Sequence, residues 1–275
     1  MAGKLKQDLT ESGKMPVLFI GHGSPINTIL DNDFTRSLSK LGKSLPRPEA
    51  IMVISAHWLT KGTYVTCTER QGMIYDFYGF PEELYKIKYP APGSPHTAGF
   101  VTELVHKVHV SCSYDWGLDH ASWAILRHIF PKADIPVFEM SLDYSFNDWH
   151  PKPIQYHYEL ASELAVLREK GILIIGSGNI VHNLGLIDFH DIDVKPYDWG
   201  VRIDEKIKSH LISHNHKELI NYQNIGKEAY LAAPTLDHYL PMIYAIALQG
   251  KNELLTFIYE DFQNASISMR CFQIG

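Results

Sequence analysis

The chain has 275 residues, of which 45% are hydrophobic and 20% charged, a balance that supports an ordinary globular core. Its formal charge of -6 excludes the strongly basic surface of a general nucleic-acid-binding protein. No segment has the roughly 18 consecutive apolar residues of a membrane helix, and the first residues lack the apolar centre of a secretory signal. The composition predicts a cytoplasmic protein with no nucleic-acid or membrane partner.

The apolar pattern along the chain alternates between strands and helices. Short runs bounded by glycine, proline or polar residues predict buried parallel strands at 16–20, 50–55, 135–140 and 172–175. Apolar residues at three- and four-residue spacing predict helices at 34–41, 97–108, 151–170 and 199–213. This alternation is typical of an α/β fold, and no repeat or linker divides the chain.

The end of the chain has a different pattern. Residues 254–259 and 266–272 are predicted to be two strands joined by a turn near Asn264, forming a hairpin at the sheet edge. The sequence therefore predicts one α/β domain with a mixed, mostly parallel sheet and a C-terminal β-hairpin.

The three cysteines, Cys67, Cys112 and Cys271, are far apart and form no C-x-x-C pair. Neither a disulfide framework nor a thiolate zinc site is indicated, and we expect reduced thiols.

Residues 71–95 combine several aromatic side chains with four prolines and three glycines, too many breakers for a long helix or strand. A long loop inside a compact domain is often a lid or a binding loop. A surface loop anchored by its aromatic side chains is an equally good interpretation.

Three histidines follow predicted strands. His22 lies between two glycines after the first strand, His57 follows the second, and His182 lies in a glycine-containing segment after the fourth. Because the carboxyl ends of parallel strands meet at one edge of the sheet, where ligands bind in open α/β folds, we expect these side chains to share a crevice.

A fourth histidine, His238, lies in a helix-start pattern with Thr235 and Asp237 as candidate caps, and it is expected to approach the crevice from the side. Neutral imidazole is a good ligand for zinc and ferrous iron, which require three or four converging groups. Any one of these histidines alone is equally well explained as a hydrogen-bonded residue at a turn. Several together favour a metal site.

The remaining histidines are weaker candidates. His210 and His214 have the i,i+4 spacing of a metal-binding pair, but no acidic residue completes an H-E-x-x-H motif, so a solvated helix face is favoured. The same interpretation applies to His106, His109 and His216. His120, which precedes an apolar stretch, is a candidate for a residue that contacts the metal ligands or faces the substrate, rather than a ligand itself, with core and capping roles equally compatible with its pattern.

Other catalytic motifs fit poorly. Residues 21–25 do not form a G-x-S-x-G elbow, which disfavours a serine hydrolase. There is no P-loop, and Val181 stands where the third glycine of G-x-G-x-x-G would follow Gly176 and Gly178, which disfavours a nucleotide cofactor.

Five segments together resemble the 4,5-DOPA extradiol dioxygenases, a branch of the class III (LigB-type) ring-cleaving dioxygenases. They are MPVLFIGHGSP at 15–25, LPRP at 45–48 with ISAHW at 54–58, YPAPGSP at 89–95, SGNIVHNL at 177–184 and HYLP at 238–241. The resemblance implies an N-terminal extension, residues 1–14, and one catalytic domain, residues 15–275, with a three-layer α/β/α fold.

The resemblance also implies the site. His22, His57 and His238 match metal ligands, and His182 matches a residue that is a metal ligand in part of the family and the catalytic acid/base in another part. His120 matches a histidine of the substrate pocket and is a second candidate catalytic residue. In the loop, Tyr78 and Phe80 are candidate substrate-binding residues that stack on the ring.

The implied activity is that of an oxidoreductase that inserts both atoms of dioxygen into a catechol such as L-DOPA and yields a muconic semialdehyde. Fe(II) is the metal expected for activity, and Zn(II) is able to occupy the same site. The expected partners are a small catechol and O2, and the protein is expected to be a monomer or a small homo-oligomer.

One feature departs from the usual ferrous site of two histidines and one carboxylate. Here the third position is His238, and Asp237 is the adjacent carboxylate. Because an all-histidine set also suits zinc, the alternative function is a zinc-dependent hydrolase of a small amide or ester. A non-enzymatic member of the superfamily is disfavoured, because such a protein is expected to lack the full histidine set.

Overall fold

The computed structural model describes residues 13–144 and 152–275. Its centre is an eight-stranded sheet with the order β4-β3-β5-β2-β6-β1-β10-β7. The ten strands are β1 (Val17–Gly21), β2 (Ala50–Thr60), β3 (Thr63–Thr66), β4 (Val110–Ser113), β5 (Val137–Asp143), β6 (Ile172–Gly178), β7 (Leu255–Tyr259), β8 (Phe262–Gln263), β9 (Ile267–Ser268) and β10 (Cys271–Ile274). The central strands β5, β2, β6 and β1 are mutually parallel, which confirms the four predicted strands.

Helices cover both faces of this sheet. They are α1 (Asp33–Ser44), α2 (Glu82–Lys86), α3 (Pro95–Leu104), α4 (His120–Ile129), α5 (Ile154–Ser162), α6 (Ala165–Glu169), α7 (Asp198–Ile212), α8 (His216–Ile220), α9 (Ala229–Ala232) and α10 (Leu240–Ala247). None of the helices in the described ranges has the length and apolar character needed to span a membrane.

Alternation along the strands explains why both faces are covered. In β2, Met52 and Ile54 pack into the core shared with α5, α7 and α10, whereas Ile51 and Val53 pack into the core shared with α1 and α4. Successive side chains of a strand point to opposite faces, so a continuous apolar strand must be buried on both. The fold is therefore the α/β arrangement that the sequence predicts.

The helix predictions are correct in position and less accurate in their limits. The predicted helix at 97–108 begins at Pro95 and ends at Leu104, and the one at 199–213 is α7. The predicted helix at 151–170 starts outside the described residues, and its described part is broken into α5 and α6 around Glu163 and Leu164. Residues 1–12 of the predicted N-terminal extension also lie outside the described residues.

The C-terminal hairpin differs from its prediction in one strand. β7 pairs antiparallel with β10, which in turn pairs with β1, so the hairpin does form the sheet edge. The intervening residues, however, form a separate small hairpin of β8 and β9, whose turn holds Asn264 and Ala265 in the left-handed conformation. The predicted strand 266–272 is therefore divided between two sheets.

The expectation of three reduced thiols is wrong. Cys67 and Cys112 form a disulfide with their Cα atoms 5.5 Å apart, while Cys271 is free and buried. The cause is the parallel pairing of β3 with β4, two four-residue strands that the apolar pattern does not reveal.

Candidate metal centre

His22 lies directly after β1, at the edge where the parallel strands end. Its backbone N–H donates to the carbonyl of Gly178 at the end of β6, which holds the residue beside its neighbouring strand. The chain then turns at Gly23, which has a φ of 62°, a conformation that glycine adopts without strain. The side chain of His22 is buried as a result.

His57 is placed by an irregularity inside β2 rather than by the end of the strand. β2 continues to Thr60, but its register against β5 shifts between Ile54 and Leu59. The extra residues bulge out of the ladder, and such bulges re-aim side chains next to functional sites. His57 lies in this bulge, with its N–H donating to the Ser55 hydroxyl.

His238 reaches the same place from a segment packed on the end of β6. A Cβ atom at Gly178 would lie 2.2 Å from the carbonyl oxygen of His238, so only glycine permits this approach. The backbone N–H of Asn179 donates to that carbonyl. Helix α10 begins at Leu240, as the helix-start pattern predicts, but Thr235 and Asp237 do not cap it because the residue at the cap position is Tyr239.

These three histidines converge. One ligand atom from each of His22, His57 and His238 lies within 4.8 Å of the others. The Nε2 atoms of His22 and His57 are 3.4 Å apart. Three imidazoles at this spacing are able to bind one metal ion.

The outer nitrogen of each imidazole is occupied by an acceptor. The Ser177 hydroxyl donates to the carbonyl of Ala121 at 2.6 Å and therefore accepts from Nδ1 of His22 at 3.1 Å. Nδ1 of His238 donates to Asp237 at 2.5 Å.

The third imidazole, that of His57, also has an acceptor on its outer nitrogen, because its Nδ1 lies 2.9 Å from Oδ2 of Asp76. Each ring thus carries its proton on Nδ1, which leaves a lone pair on Nε2. Such outer hydrogen bonds select the tautomer of metal-binding histidines.

Asp76 connects this cluster to His120. Its Oδ1 accepts from both the backbone N–H and Nδ1 of His120, at 3.0 and 2.9 Å. His57, Asp76 and His120 form a second group whose ligand atoms lie within 4.8 Å of one another. No sequence pattern singles out Asp76, because it lies among the aromatic residues of the 71–95 loop and belongs to no motif.

His182 lies beside the converging trio. Its ring stacks on that of His238, with centroids 3.5 Å apart and planes 7° from parallel. It is not a member of the group formed by His22, His57 and His238. Its backbone N–H donates to the carbonyl of Ala232.

Burial favours the neutral form of most of these imidazoles. It lowers the pKa of His22 and of His182 well below the usual value, and the neighbouring imidazoles lower it further. It also lowers the pKa of His120 to about 4. His57 differs, because the hydrogen bond to Asp76 and the charge of Asp119 outweigh burial and raise its pKa. Neutral imidazoles are the form that binds metal.

Carboxyl groups are also buried behind the histidines. Burial raises the pKa of Asp119 to about 6, and it raises that of Glu139 well above the usual range, with the Asp119 charge adding to the effect. Glu139 accepts hydrogen bonds from the Trp116 indole and the Asp119 N–H, both at 2.9 Å. Trp116 in turn stacks on Trp58, which follows His57 in β2, so a hydrogen bond and a ring contact link Glu139 to the strand that carries His57.

The aromatic loop approaches the site through Phe77. The Phe77 ring meets the His120 ring edge-on at 5.6 Å and the Phe80 ring at 5.4 Å. Phe80 therefore lies one ring farther from the histidines. The side chain of Tyr78 is 92% exposed on the outside of the loop.

The weaker histidine candidates lie elsewhere. α7 ends at Ile212, and His214 follows it in the left-handed conformation, so His210 and His214 do not share a helix face.

His106 and His109 are exposed, as expected, but lie in the segment between α3 and β4 rather than on a helix. His216 is partly buried between Tyr158 and Gln249.

Comparison with known proteins agrees with the geometry of the site. The family model described as the catalytic LigB subunit of aromatic ring-opening dioxygenase matches residues 17–268. A protein of Escherichia coli named 4,5-DOPA dioxygenase extradiol is 42% identical over the full length of both chains. A protein of the same name from Beta vulgaris is 31% identical and covers 94% of this chain and 96% of its own.

A solved structure has the same fold. The crystal structure of an uncharacterized protein from Escherichia coli K12 superimposes with a TM-score of 0.81 at 41% identity, covering 95% of this chain and all of the other.

Proposed function

Since the chain belongs to the LigB family of aromatic ring-opening dioxygenases, we propose that it cleaves a catechol resembling L-DOPA with O2 to give a muconic semialdehyde. The observation that carries this proposal is the convergence of three histidines, each with its outer Nδ1 atom within hydrogen-bond distance of a protein oxygen. Residues 15–275 are proposed to form the catalytic domain.

His22, His57 and His238 are proposed to hold the metal through Nε2. Three protein ligands leave room for both catechol oxygens and for dioxygen. Bound Fe(II) would supply the redox chemistry that lets the aromatic ring react with O2, whereas Zn(II) in the same histidines has no redox chemistry. The all-histidine donor set is compatible with either ion.

His182 is proposed to act as the acid/base. It stacks on His238 and stands outside the converging trio, so its nitrogens are available to a catechol hydroxyl. A neutral imidazole can accept the hydroxyl proton and later return it to the ring-opened product. The role of metal ligand that the sequence also suggests for His182 is less well supported by this geometry.

His120 is proposed to face the substrate, as a second catalytic residue. It is fixed by two hydrogen bonds to Asp76 and packed against Phe77, which leaves its Nε2 directed away from that carboxylate. Because Nδ1 carries the proton, Nε2 can accept a hydrogen bond from a ring hydroxyl. The positions of both catechol oxygens would then be defined by imidazoles.

The overall reaction requires no reductant. One carbon–carbon bond next to the two hydroxyls breaks, and the two carbon atoms of that bond each gain one atom of dioxygen. One becomes an aldehyde and the other a carboxylic acid, so the four electrons accepted by O2 come from the ring. Catechol and O2 are thus the only substrates.

Tyr78 and Phe80 are proposed to bind the substrate ring. Phe80 supports Phe77, and Tyr78 is free to fold over the crevice from the exposed side of the loop. Truncating either residue to alanine is expected to raise the apparent KM about fivefold with a smaller change in kcat, since an aromatic contact with the substrate ring contributes roughly 1 kcal/mol. Unchanged KM values in both variants would contradict this role.

The proposal is tested by oxygen uptake with metal-free protein reloaded anaerobically with Fe(II) or with Zn(II). Uptake with L-DOPA or another catechol should require Fe(II) and be accompanied by a yellow semialdehyde. If stoichiometric Fe(II) gives no uptake with any catechol, while the Zn(II) form hydrolyses a small ester or amide, the hydrolase alternative replaces the dioxygenase.

A further inference from the structure

Asp76 accepts three hydrogen bonds from two histidines, one in a strand and the other at the start of a helix. Its Oδ2 lies 2.9 Å from Nδ1 of His57, in the bulge of β2. Its Oδ1 accepts from Nδ1 and from the backbone N–H of His120, the first residue of α4. Asp76 is the only carboxylate among the described residues that contacts two histidine rings in this way.

Both oxygens of this carboxylate are engaged by these two histidines, Oδ2 by the His57 ring and Oδ1 by the His120 ring and backbone. The side chain is only 19% exposed, so solvent competes weakly for these bonds. An ionised carboxylate accepts only, so both imidazoles must present Nδ1–H to it.

Asp76 also replaces the usual cap of helix α4. Asp119 occupies the cap position of that helix, but its side chain makes no capping hydrogen bond. The free N–H at the start of the helix is satisfied by Asp76 instead, and the helix dipole favours a negative charge there. The aromatic loop is thereby fastened to the helix that carries His120.

From this geometry we infer that Asp76 is a positioning residue that fixes the tautomer of a metal ligand, His57, and of a substrate-facing residue, His120, at the same time. The inference rests on the proposed function, in which His57 binds the metal through Nε2. Its consequence is that the aromatic loop and the metal site are coupled. When the loop is in place, both Nε2 lone pairs face the crevice.

The variant Asp76→Asn should change the contact with His57 while keeping the contact with His120. An amide offers one acceptor oxygen and one donor NH2 group, and it cannot accept from both rings. The oxygen should stay with His120, which supplies two donors, and the NH2 group should then face His57. Nδ1 of His57 must become an acceptor, which places its proton on Nε2, so metal binding must first displace that proton and break the new hydrogen bond.

The expected result is a 10- to 100-fold weaker metal affinity, the range found when an outer partner of a metal-binding histidine is lost. Affinity is measured on metal-free protein by competition for Zn(II) with a chromophoric chelator. Long-range proton–nitrogen NMR spectra of the metal-free protein should show His57 changed to the Nε2–H tautomer and His120 unchanged. Asp76→Glu, which keeps two acceptor oxygens, should recover part of the affinity.

Glu82→Gln is the matched control. It removes one negative charge from the same loop, at a side chain that is 83% exposed and whose only ion pair with the described residues is the one with Lys86. It should leave metal affinity unchanged. A circular dichroism melt of each variant shows whether the fold is retained.

The outcomes distinguish the inference from the function on which it rests. Wild-type protein that binds no metal would refute the proposed metal centre. Wild-type binding of one ion, with equal affinity and the same His57 tautomer in a folded Asp76→Asn variant, would refute the positioning role alone. Two ions per wild-type chain, with one lost in Asp76→Asn, would instead make His57, Asp76 and His120 a second metal site.

Discussion

The histidines of the crevice and those of the helical layer around α5 and α8 differ in which ring nitrogen is occupied. His216 has a partner on each nitrogen, the Tyr158 hydroxyl 3.0 Å from Nδ1 and the Gln249 amide oxygen 3.0 Å from Nε2. His22 and His238 have their protein acceptors on Nδ1. The difference suits the two groups to different roles. An imidazole whose Nδ1–H is held by an acceptor can offer the lone pair of Nε2 to a ligand, whereas one with partners on both nitrogens cannot.

The strongest test of this difference removes an inward lone pair. His22→Ala should lower the metal content from one ion per chain to nearly none and reduce oxygen uptake by more than about 100-fold, because losing a ligand costs more than losing its outer partner. Metal analysis and an oxygen electrode measure both effects. A variant that retains full metal content would show that His22 is not a ligand.

A smaller effect is expected when only the outer partner changes. Asp237→Asn offers Nδ1 of His238 an amide that can still accept, but without the charge that orients the ring. Metal affinity should fall by roughly 10- to 100-fold, and the reloaded enzyme should regain part of its activity at high metal concentration. Affinity equal to that of the wild type would contradict the role of this short hydrogen bond.

A buried histidine outside the crevice should affect stability instead of metal binding. His157 is fully buried, with Nδ1 3.2 Å from the Tyr244 hydroxyl, and burial lowers its pKa to about 4. The unfolded chain, with a histidine pKa near 6.5, binds this proton first, so the free energy of unfolding falls as the pH drops below about 6.5.

Between pH 7 and 4.5 this one residue should account for a loss of about 2 kcal/mol. His157→Gln, which can still bond to Tyr244, should remove that part of the acid sensitivity and leave metal content unchanged. Denaturant titrations at several pH values measure the free energy of unfolding of the wild type and of His157→Gln. If this free energy changes with pH equally in both, His157 does not remain neutral in the folded protein.

The smallest effect is expected for His210, a partly buried residue in the last turn of α7 that belongs to neither group of converging ligands in the crevice. The variant His210→Gln should change neither metal content nor oxygen uptake, with a stability change within about 1 kcal/mol. A loss of metal in this variant would contradict the claim that only the histidines of the crevice bind it.

Sequence reasoning located the parts of the site that depend on strand ends. His22 follows a buried apolar strand, and the chain order of the strands is enough to bring it near His57 and His182. The apolar pattern does not predict that β2 continues past His57, because a bulge changes the register of a strand without changing that pattern.

Asp76 and the disulfide were missed for a related reason. Asp76 acts through its contacts with His57 and His120, which are 19 residues before it and 44 after it, and a loop has no periodicity that reveals such a contact. Cys67 and Cys112 meet because two short strands pair. Local patterns predict elements, whereas these features depend on how the elements assemble.

The central claim is that one metal ion is held by the Nε2 atoms of His22, His57 and His238. Crystals of metal-free protein soaked anaerobically with Fe(II), with anomalous diffraction recorded at the iron edge, test it most directly. The expected result is one anomalous peak about 2 Å from each of the three Nε2 atoms. A peak between His57, Asp76 and His120 instead, or no peak at the cluster, would contradict the claim.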